Sequence, residues 1–300
     1  MGRSRAGTPG IDGVCIIDKE PAWTSHDVVA KSRGILGTKK VGHSGTLDPD
    51  ATGLLVLGVG KATRLLSYLT ALPKTYTGEI VLGTETSTLD ASGEVTATHT
   101  MQGVTIDQVR AAAVALTGDI LQVPPMVSAI QIDGKRLHEL AREGKEVERP
   151  ARPVTVYRFE ILDELDHDPG VFRCQVECSS GTYIRSLAAD VGTALGGGGH
   201  LRNLRRTAVG GFTEADAVPL GVLTVEHLRP VASAVCHLPQ VTVDDEIAAD
   251  VRFGKVLERA RIGVDPDHVG PWSVLTTDGH LLAVYVAFRG STVKPAVVIP

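Results

Sequence analysis

The sequence predicts an α+β protein on a mixed or antiparallel sheet, followed by a small C-terminal β-rich domain. Stretches of strand character and stretches of helical periodicity mix along the chain without the strict alternation that a wholly parallel sheet needs. From about Val235 the composition turns acidic and β-rich, which marks a second unit. With 300 residues, 43% of them apolar, the chain can build one large or two unequal domains with a real core.

Taken in order, residues 13–18 read as a strand rich in β-branched side chains. Thr24 or Ser25 caps a helix to about Leu36, with Val28, Val29, Ile35 and Leu36 near one side. A polar, glycine-punctuated loop containing Pro49 spans 39–53. The apolar run 54–59 reads as a buried strand and 61–69 as a short helix. Residues 75–82 alternate as a strand, and 104–116 form an amphipathic helix after Thr100. Strands follow at 154–162 and 171–179, then a helix from about Tyr183 to Leu195, which the glycine run 196–199 breaks. Between them, 124–152 is long and charged and is bounded by Pro124, Pro125, Pro150 and Pro153. It reads as an insertion projecting from the core, with a helix near 135–142. In the tail, Asp278-Gly279 signals a hairpin between 272–276 and 281–288. The expected division is 1–234, carrying the insertion, and 235–300.

No apolar run is long enough to span a membrane, and the polar opening stretch is no signal peptide. Cys15, Cys174, Cys178 and Cys236 form neither a C-x-x-C pair nor a zinc-like set; they read as reduced thiols, consistent with a cytoplasmic location. A net charge of −5 argues at first against a nucleic-acid partner. Its distribution reverses that. Residues 31–76 hold seven basic side chains against Asp48 and Asp50, a net +5, and 185–210 are net +3, whereas 212–300 are net −4. A basic working region on an acidic chain is a plausible RNA footprint, although charge alone does not separate it from an ordinary solvated surface.

The stretch Gly42-His43-Ser44-Gly45-Thr46-Leu47-Asp48-Pro49 carries the chemistry. Two glycines permit unusual backbone angles and Pro49 restricts the backbone after Asp48, so a carboxylate is held on a constrained loop. Such a carboxylate suits a nucleophile. An Asp-Pro turn is the plainer reading of the same residues, and local physics does not choose.

This loop resembles the catalytic motif of the bacterial tRNA pseudouridine-55 synthases, the TruB-like family, written G-H-T-G-T-L-D-P, with Ser44 in place of the usual threonine. Lys19 and Trp23-Thr24-Ser25 resemble its first motif, K-P-x-G-W-T-S, with Glu20 for proline and Ala22 for glycine. Lys74-Thr75-Tyr76 resembles the second. Thr86, Thr88, Asp90 and Gly93 fit T-D-T-x-D-x-x-G with Ser87 for the acidic residue, and residues 179–185 and 204–207 resemble the third motif and the following L-R-R-T. The likeness runs in order over about 11–230, and the tail resembles a PUA domain more weakly.

The resemblance implies a pseudouridine synthase catalytic domain, with 124–152 as a thumb that closes over the tRNA T-loop. It implies isomerisation of a flipped T-loop uridine, with Asp48 as nucleophile at uracil C6 or ribose C1′, or as promoter of an elimination. By the same resemblance Arg185 is the counter-charge and Tyr76 stacks on the uracil and moves a proton. Tyr183 packs beneath the pocket, Leu204 lines it, His43 meets the T-loop bases, and Lys19 and Asp90 belong to the substrate site. Tyr183 and Leu204 fit equally as core residues. No cofactor or metal is implied, since the isomerisation is redox-neutral, and no obligatory protein or guide RNA. The alternatives are an RNA-guided synthase of the dyskerin type, a non-catalytic RNA-binding protein, and an aspartyl-nucleophile hydrolase.

Overall fold

The computed structural model describes residues 10–299 apart from 129–130, 133–134, 137–146 and 266. Among these residues a ten-stranded sheet forms the body of the molecule. Its strands are β1 (Gly13–Lys19), β2 (Val41–His43), β3 (Thr52–Val59) and β4 (Lys74–Leu82). Two short strands, β5 (Thr84–Thr86) and β6 (Val95–Thr98), pair as a separate ribbon. The sheet continues with β7 (Gly118–Gln122) and, after the ribbon β8 (Gln131–Ile132) and β9 (Lys135–Arg136), with β10 (Arg152–Glu164) and β11 (Val171–Cys178). Strands β12 (Gly199–Val209), β13 (Phe212–Thr213) and β14 (Val218–Pro219) complete it. The order is β14-β1-β3-β12-β4-β11-β10-β7, with β13 on β12 and β2 on β3. Pairing is mixed: β12 runs parallel to β3 but antiparallel to β4.

The apolar run behaves as its composition requires. Leu54, Leu55, Val56 and Leu57 of β3 are all fully buried, because both faces of the sheet are covered there. Leu55 and Leu57 pack with Val28, Val29 and Leu36 of the helix Ser25–Leu36. Leu54 and Val56 pack on the other side with Leu65 and Leu69, from a 3-10 turn (Gly60–Leu65) that runs into the short helix Leu66–Ala71. Thr24 is the cap of the first helix: its hydroxyl accepts from the Asp27 N–H while the Asp27 carboxylate accepts from Thr24 N–H, a reciprocal capping box. The helices Ile106–Ala115 and Ile184–Ala194 lie against β4, β10, β11 and β12, burying Val109, Ala113, Leu187 and Val191 on Phe172, Val176 and Leu201.

A second, five-stranded sheet holds β15 (Gln240–Val243), β16 (Leu257–Glu258), β17 (Trp272–Thr276), β18 (Leu281–Ala287) and β19 (Thr292–Val298). The Asp278-Gly279 turn joins β17 to β18 as the dipeptide predicts. This sheet has its own core around Trp272, Val274, Ala283 and Tyr285. It also shares one: Leu281, Val284 and Ile299 pack with Val14, Ile16, Leu54 and Leu65 of the main body.

Of the helix expected near 135–142, residues 135–136 form strand β9, paired with β8, and 137–142 lie outside the described residues. The eleven-residue strand β12, at the centre of the sheet, has no counterpart among the strands read from the sequence.

Candidate active site

The loop between β2 and β3 delivers Asp48, and four contacts from separate elements hold its backbone. Ser44 N–H donates to Val56 O (3.0 Å). The buried Ser25 hydroxyl, at the start of the first helix, accepts from Leu47 N–H (2.9 Å) and donates to Leu47 O (3.2 Å). The Arg206 guanidinium donates to Gly45 O (3.2 Å) and Thr46 O (3.5 Å). The Lys19 ammonium donates to Pro49 O (2.8 Å), Trp23 O (2.7 Å) and Glu20 O (3.0 Å). The motif glycines and their neighbours therefore stay close to β3; Gly53 is forced, since a Cβ there would lie 2.2 Å from Arg206 O.

The carboxylate projects from this frame toward Arg185, on the first turn of the helix Ile184–Ala194. Arg185 Nε lies 3.0 Å from Asp48 Oδ2; the Asp48 side chain is 42% exposed and that of Arg185 4%. The remaining donors of Arg185 are also engaged: with Thr88 O (2.8 Å), Val127 O (2.9 Å) and, at 3.5 Å, Asp90 Oδ2. Asp90 is held in turn by the Thr88 hydroxyl (2.6 Å) and by Ser92 N–H (3.1 Å). Burial pushes the Asp48 carboxyl above the ordinary carboxylate range, with Arg185 opposing it and Asp90 adding to it. One buried cation thus serves two carboxylates, and Asp48 is the one more open to solvent.

Two clefts meet at this pair. One, of about 260 Å³, is lined by Tyr76, Tyr183, Leu204, Lys74 and Arg206 together with Asp48 and Arg185. The other, of about 360 Å³, is lined by Asp90, Thr88, Val127, Arg202, Asn203 and Leu204 with the same pair. Tyr76 sits on β4, and burial pushes its phenol up, with Arg206 acting the other way by charge and by a hydrogen bond. Tyr183 is locked by Gln122, whose amide accepts from Tyr183 N–H (2.8 Å) and donates to Tyr183 O (3.1 Å).

Of the residues singled out in the sequence, Asp48, Tyr76, Arg185, Asp90, Tyr183 and Leu204 therefore gather around two adjoining clefts. Lys19 and His43 line neither. The Lys19 side chain is 1% exposed and its three donors are all committed to backbone carbonyls, so it braces the loop from behind; burial pulls it down to about 8. His43 lies at the base of the loop, edge-on to His26 at 5.4 Å between ring centroids. Its Nδ1 accepts from Gly45 N–H (3.3 Å), which leaves the proton on Nε2, and burial, then His26 and Arg206, pull the imidazole down. Ser25 and Arg206 were legible only as motif letters; nothing in local periodicity marks them as loop braces. Among the described residues no group of three or more His, Cys, Asp or Glu side chains is arranged to hold a metal ion.

A carboxylate beside a buried arginine thus stands at the junction of two clefts walled by aromatic, apolar and cationic side chains. Comparison with known proteins identifies the class. The model of the TruB family pseudouridylate synthase (N terminal domain) matches residues 33–184, and that of the tRNA pseudouridylate synthase B C-terminal domain matches 185–236. Proteins called tRNA pseudouridine synthase B are similar along nearly their whole length. The one from Arthrobacter sp. (strain FB24) is 44% identical over 296 residues, 96% of each chain. That from Geobacillus thermodenitrificans (strain NG80-2) is 43% identical over 299 residues, 95% of this chain and 98% of its own. Among solved structures, a chain of a Cbf5-Nop10-Gar1 complex is similar with a TM-score of 0.75 at 28% identity, over 96% of this chain and 85% of that one. Another, from an H/ACA RNP bound to a substrate RNA containing 2′-deoxyuridine, has a TM-score of 0.72 at 27% identity, over 96% of this chain and 85% of its own. The chain belongs to the TruB family of pseudouridylate synthases.

Proposed function

We infer that the chain is a tRNA pseudouridine synthase that isomerises the T-loop uridine at position 55. The observation that carries this reading is the Asp48–Arg185 pair at 3.0 Å, at the junction of two clefts, in a chain so similar to proteins called tRNA pseudouridine synthase B. The reaction breaks N1–C1′ and forms C5–C1′; the hydrogen leaves C5 and N1 gains one, so atoms and electrons balance without a redox partner. The base must leave the stack to be reached. It then lies in the cleft between Tyr76 and Leu204, with Tyr183 beneath, and Asp48 acts from the cleft edge to labilise the glycosidic bond. Arg185 keeps Asp48 ionised against the cost of burial. The phenol of Tyr76 is placed to stack on the base and to move a proton. His43, at the base of the loop, meets the other T-loop bases in this reading.

The exposed side chains of Lys31, Lys39 and Lys40, ahead of the Asp48 loop, supply the backbone contacts that such recognition needs. In this reading 1–234 form the catalytic unit with a thumb at 124–152, 235–300 form a PUA-like unit, and the protein works in the cytoplasm on free tRNA. The similar solved chains come from multi-component assemblies, a Cbf5-Nop10-Gar1 complex and an H/ACA RNP, which makes guide independence the point to test. Pure protein is incubated with an unmodified tRNA transcript, with no guide RNA or other protein, and pseudouridine is mapped by nucleotide. Conversion of the T-loop uridine alone is expected. No conversion until a guide RNA or protein is supplied would overturn the stand-alone reading.

A further inference from the structure

The most enclosed arginine among the described residues stands behind the active-site loop. Arg205 and Arg206 are neighbours on β12 and face opposite ways. Arg205 is half-buried and pairs with Asp18 (3.0 Å) and Glu214 (2.6 Å). Arg206 is 2% exposed and, among the described residues, forms no ion pair. Its donors go to carbonyl oxygens: Leu54 O (2.6 Å) on β3, then Gly45 O (3.2 Å) and Thr46 O (3.5 Å) of the loop that ends in Asp48. In strand register Arg206 stands directly opposite Tyr76 on β4 and beside Gly53 on β3, and its side chain lines the same cleft as the Tyr76 ring. The guanidinium charge also acts to pull the buried Tyr76 phenol down, against the effect of burial.

A buried charge without a counter-ion is costly, and apolar side chains of similar volume pack a sheet more cheaply. Structural need alone is therefore a poor account of an arginine here. What only a guanidinium can supply is a planar fork of donors that meets several acceptors at fixed angles. We propose that Arg206 is a positioning residue for the reaction: its fork ties the loop carbonyls of Gly45 and Thr46 to Leu54 of β3 at the strand position opposite Tyr76, setting the distance between Asp48 and the stacked base. It need not touch the RNA to do this. Catalytic geometry tolerates little displacement, and a misplacement of about 1 Å costs about 100-fold in rate. Lysine keeps the charge but reaches fewer acceptors, and glutamine keeps hydrogen bonding but loses the charge.

The proposal rests on the reading of Asp48 as the reacting carboxylate, so Asp48→Asn is run alongside. Arg206→Lys and Arg206→Gln are assayed on an isolated T-arm stem-loop for single-turnover rate, for affinity and for thermal unfolding. The expected result is affinity within about threefold of wild type while the rate per folded molecule falls about 100-fold in the glutamine variant and less in the lysine variant. Three results would overturn it: a near-normal rate per folded molecule, rate and affinity falling together, or failure of both variants to fold, which would make Arg206 a core residue only. Activity in Asp48→Asn would instead sink the reading of the site itself, whatever the Arg206 variants do.

Discussion

Asp48 and Arg185 form a pair in which each residue makes the other tolerable. Arg185 is buried and its donors are divided between two carboxylates and two carbonyls; Asp48 is displaced upward in pKa by burial and held back by that cation. Asp48→Asn keeps the shape and loses the charge, so turnover should fall by about 10⁴-fold or more while tRNA affinity stays near wild type. Single-turnover kinetics beside a binding titration checks both halves. Arg185→Met removes the cation that lowers the Asp48 pKa. The carboxylate then takes up a proton at higher pH, so the acid limb of the remaining activity should move to higher pH, with turnover reduced on the order of 100-fold or more. A pH–rate profile whose acid limb stays where the wild type has it would remove Arg185 from this role. Ala22 is a residue-scale feature of another kind. It stands where the family motif has glycine, and its φ is +65°, a conformation that costs an alanine about 1 kcal/mol or more. Ala22→Gly should therefore stabilise the protein by about 0.5–1 kcal/mol, read as a rise of about 2 °C in thermal midpoint.

At the scale of elements, legibility depended on whether an element's stability is local. The helix Ser25–Leu36 announces itself through its capping box, and β3 through an unbroken apolar run, because both signals lie within the element. Strand β12 hides for the opposite reason. Arg202, Asn203, Arg205 and Arg206 interrupt its alternation, Asn203 takes a positive φ, and pairing with β4 shifts register at two points. Its charges are compensated from elsewhere in the chain, Arg202 by Glu79 at 2.7 Å and Arg205 by Asp18 at 3.0 Å, so periodicity shows polar residues and misses their partners. The candidate site follows the same rule. Asp48, Tyr76 and Arg185 come from the family motifs, but their convergence needs β4, the loop and the helix Ile184–Ala194 brought together. The latch between helix and loop tests how rigid that convergence must be. Ser25→Ala leaves the buried Leu47 N–H without its acceptor, a loss of about 1–3 kcal/mol. Urea unfolding should show that loss, and turnover should fall with it even where the protein remains folded.

At the scale of the molecule, the C-terminal sheet is both attached to the body and electrostatically quiet. Leu281, Val284 and Ile299 are buried in a cluster with Val14, Ile16 and Leu54, and Arg64 donates to Val298 O (2.6 Å). Each large apolar side chain so buried contributes on the order of 1.5–3 kcal/mol, so truncation near Val235 would expose part of the core under β1 and β3. Removing the sheet therefore confounds RNA binding with stability, and charge-neutralising variants separate the two. Basic residues of this unit are largely answered within it: Lys255 pairs with Asp250, Arg261 with Glu246 at 3.2 Å and Asp250 at 2.8 Å, and Arg259 lies over the Trp272 ring. A cation already paired releases few counter-ions when a phosphate approaches, and residues 235–300 are net −2. Lys255→Gln with Arg261→Gln should accordingly change the slope of log affinity against log salt by less than about 1 for whole tRNA, with T-arm stem-loop modification unchanged. Lys39 and Lys40 are exposed and lie just before β2, in the basic stretch that leads into the Asp48 loop. Lys39→Gln with Lys40→Gln should lower the slope by about 2, close to 0.9 for each phosphate no longer neutralised. Filter binding over a salt series measures both. A larger drop from the C-terminal pair than from the pair beside the loop would place the main phosphate grip on the smaller sheet instead.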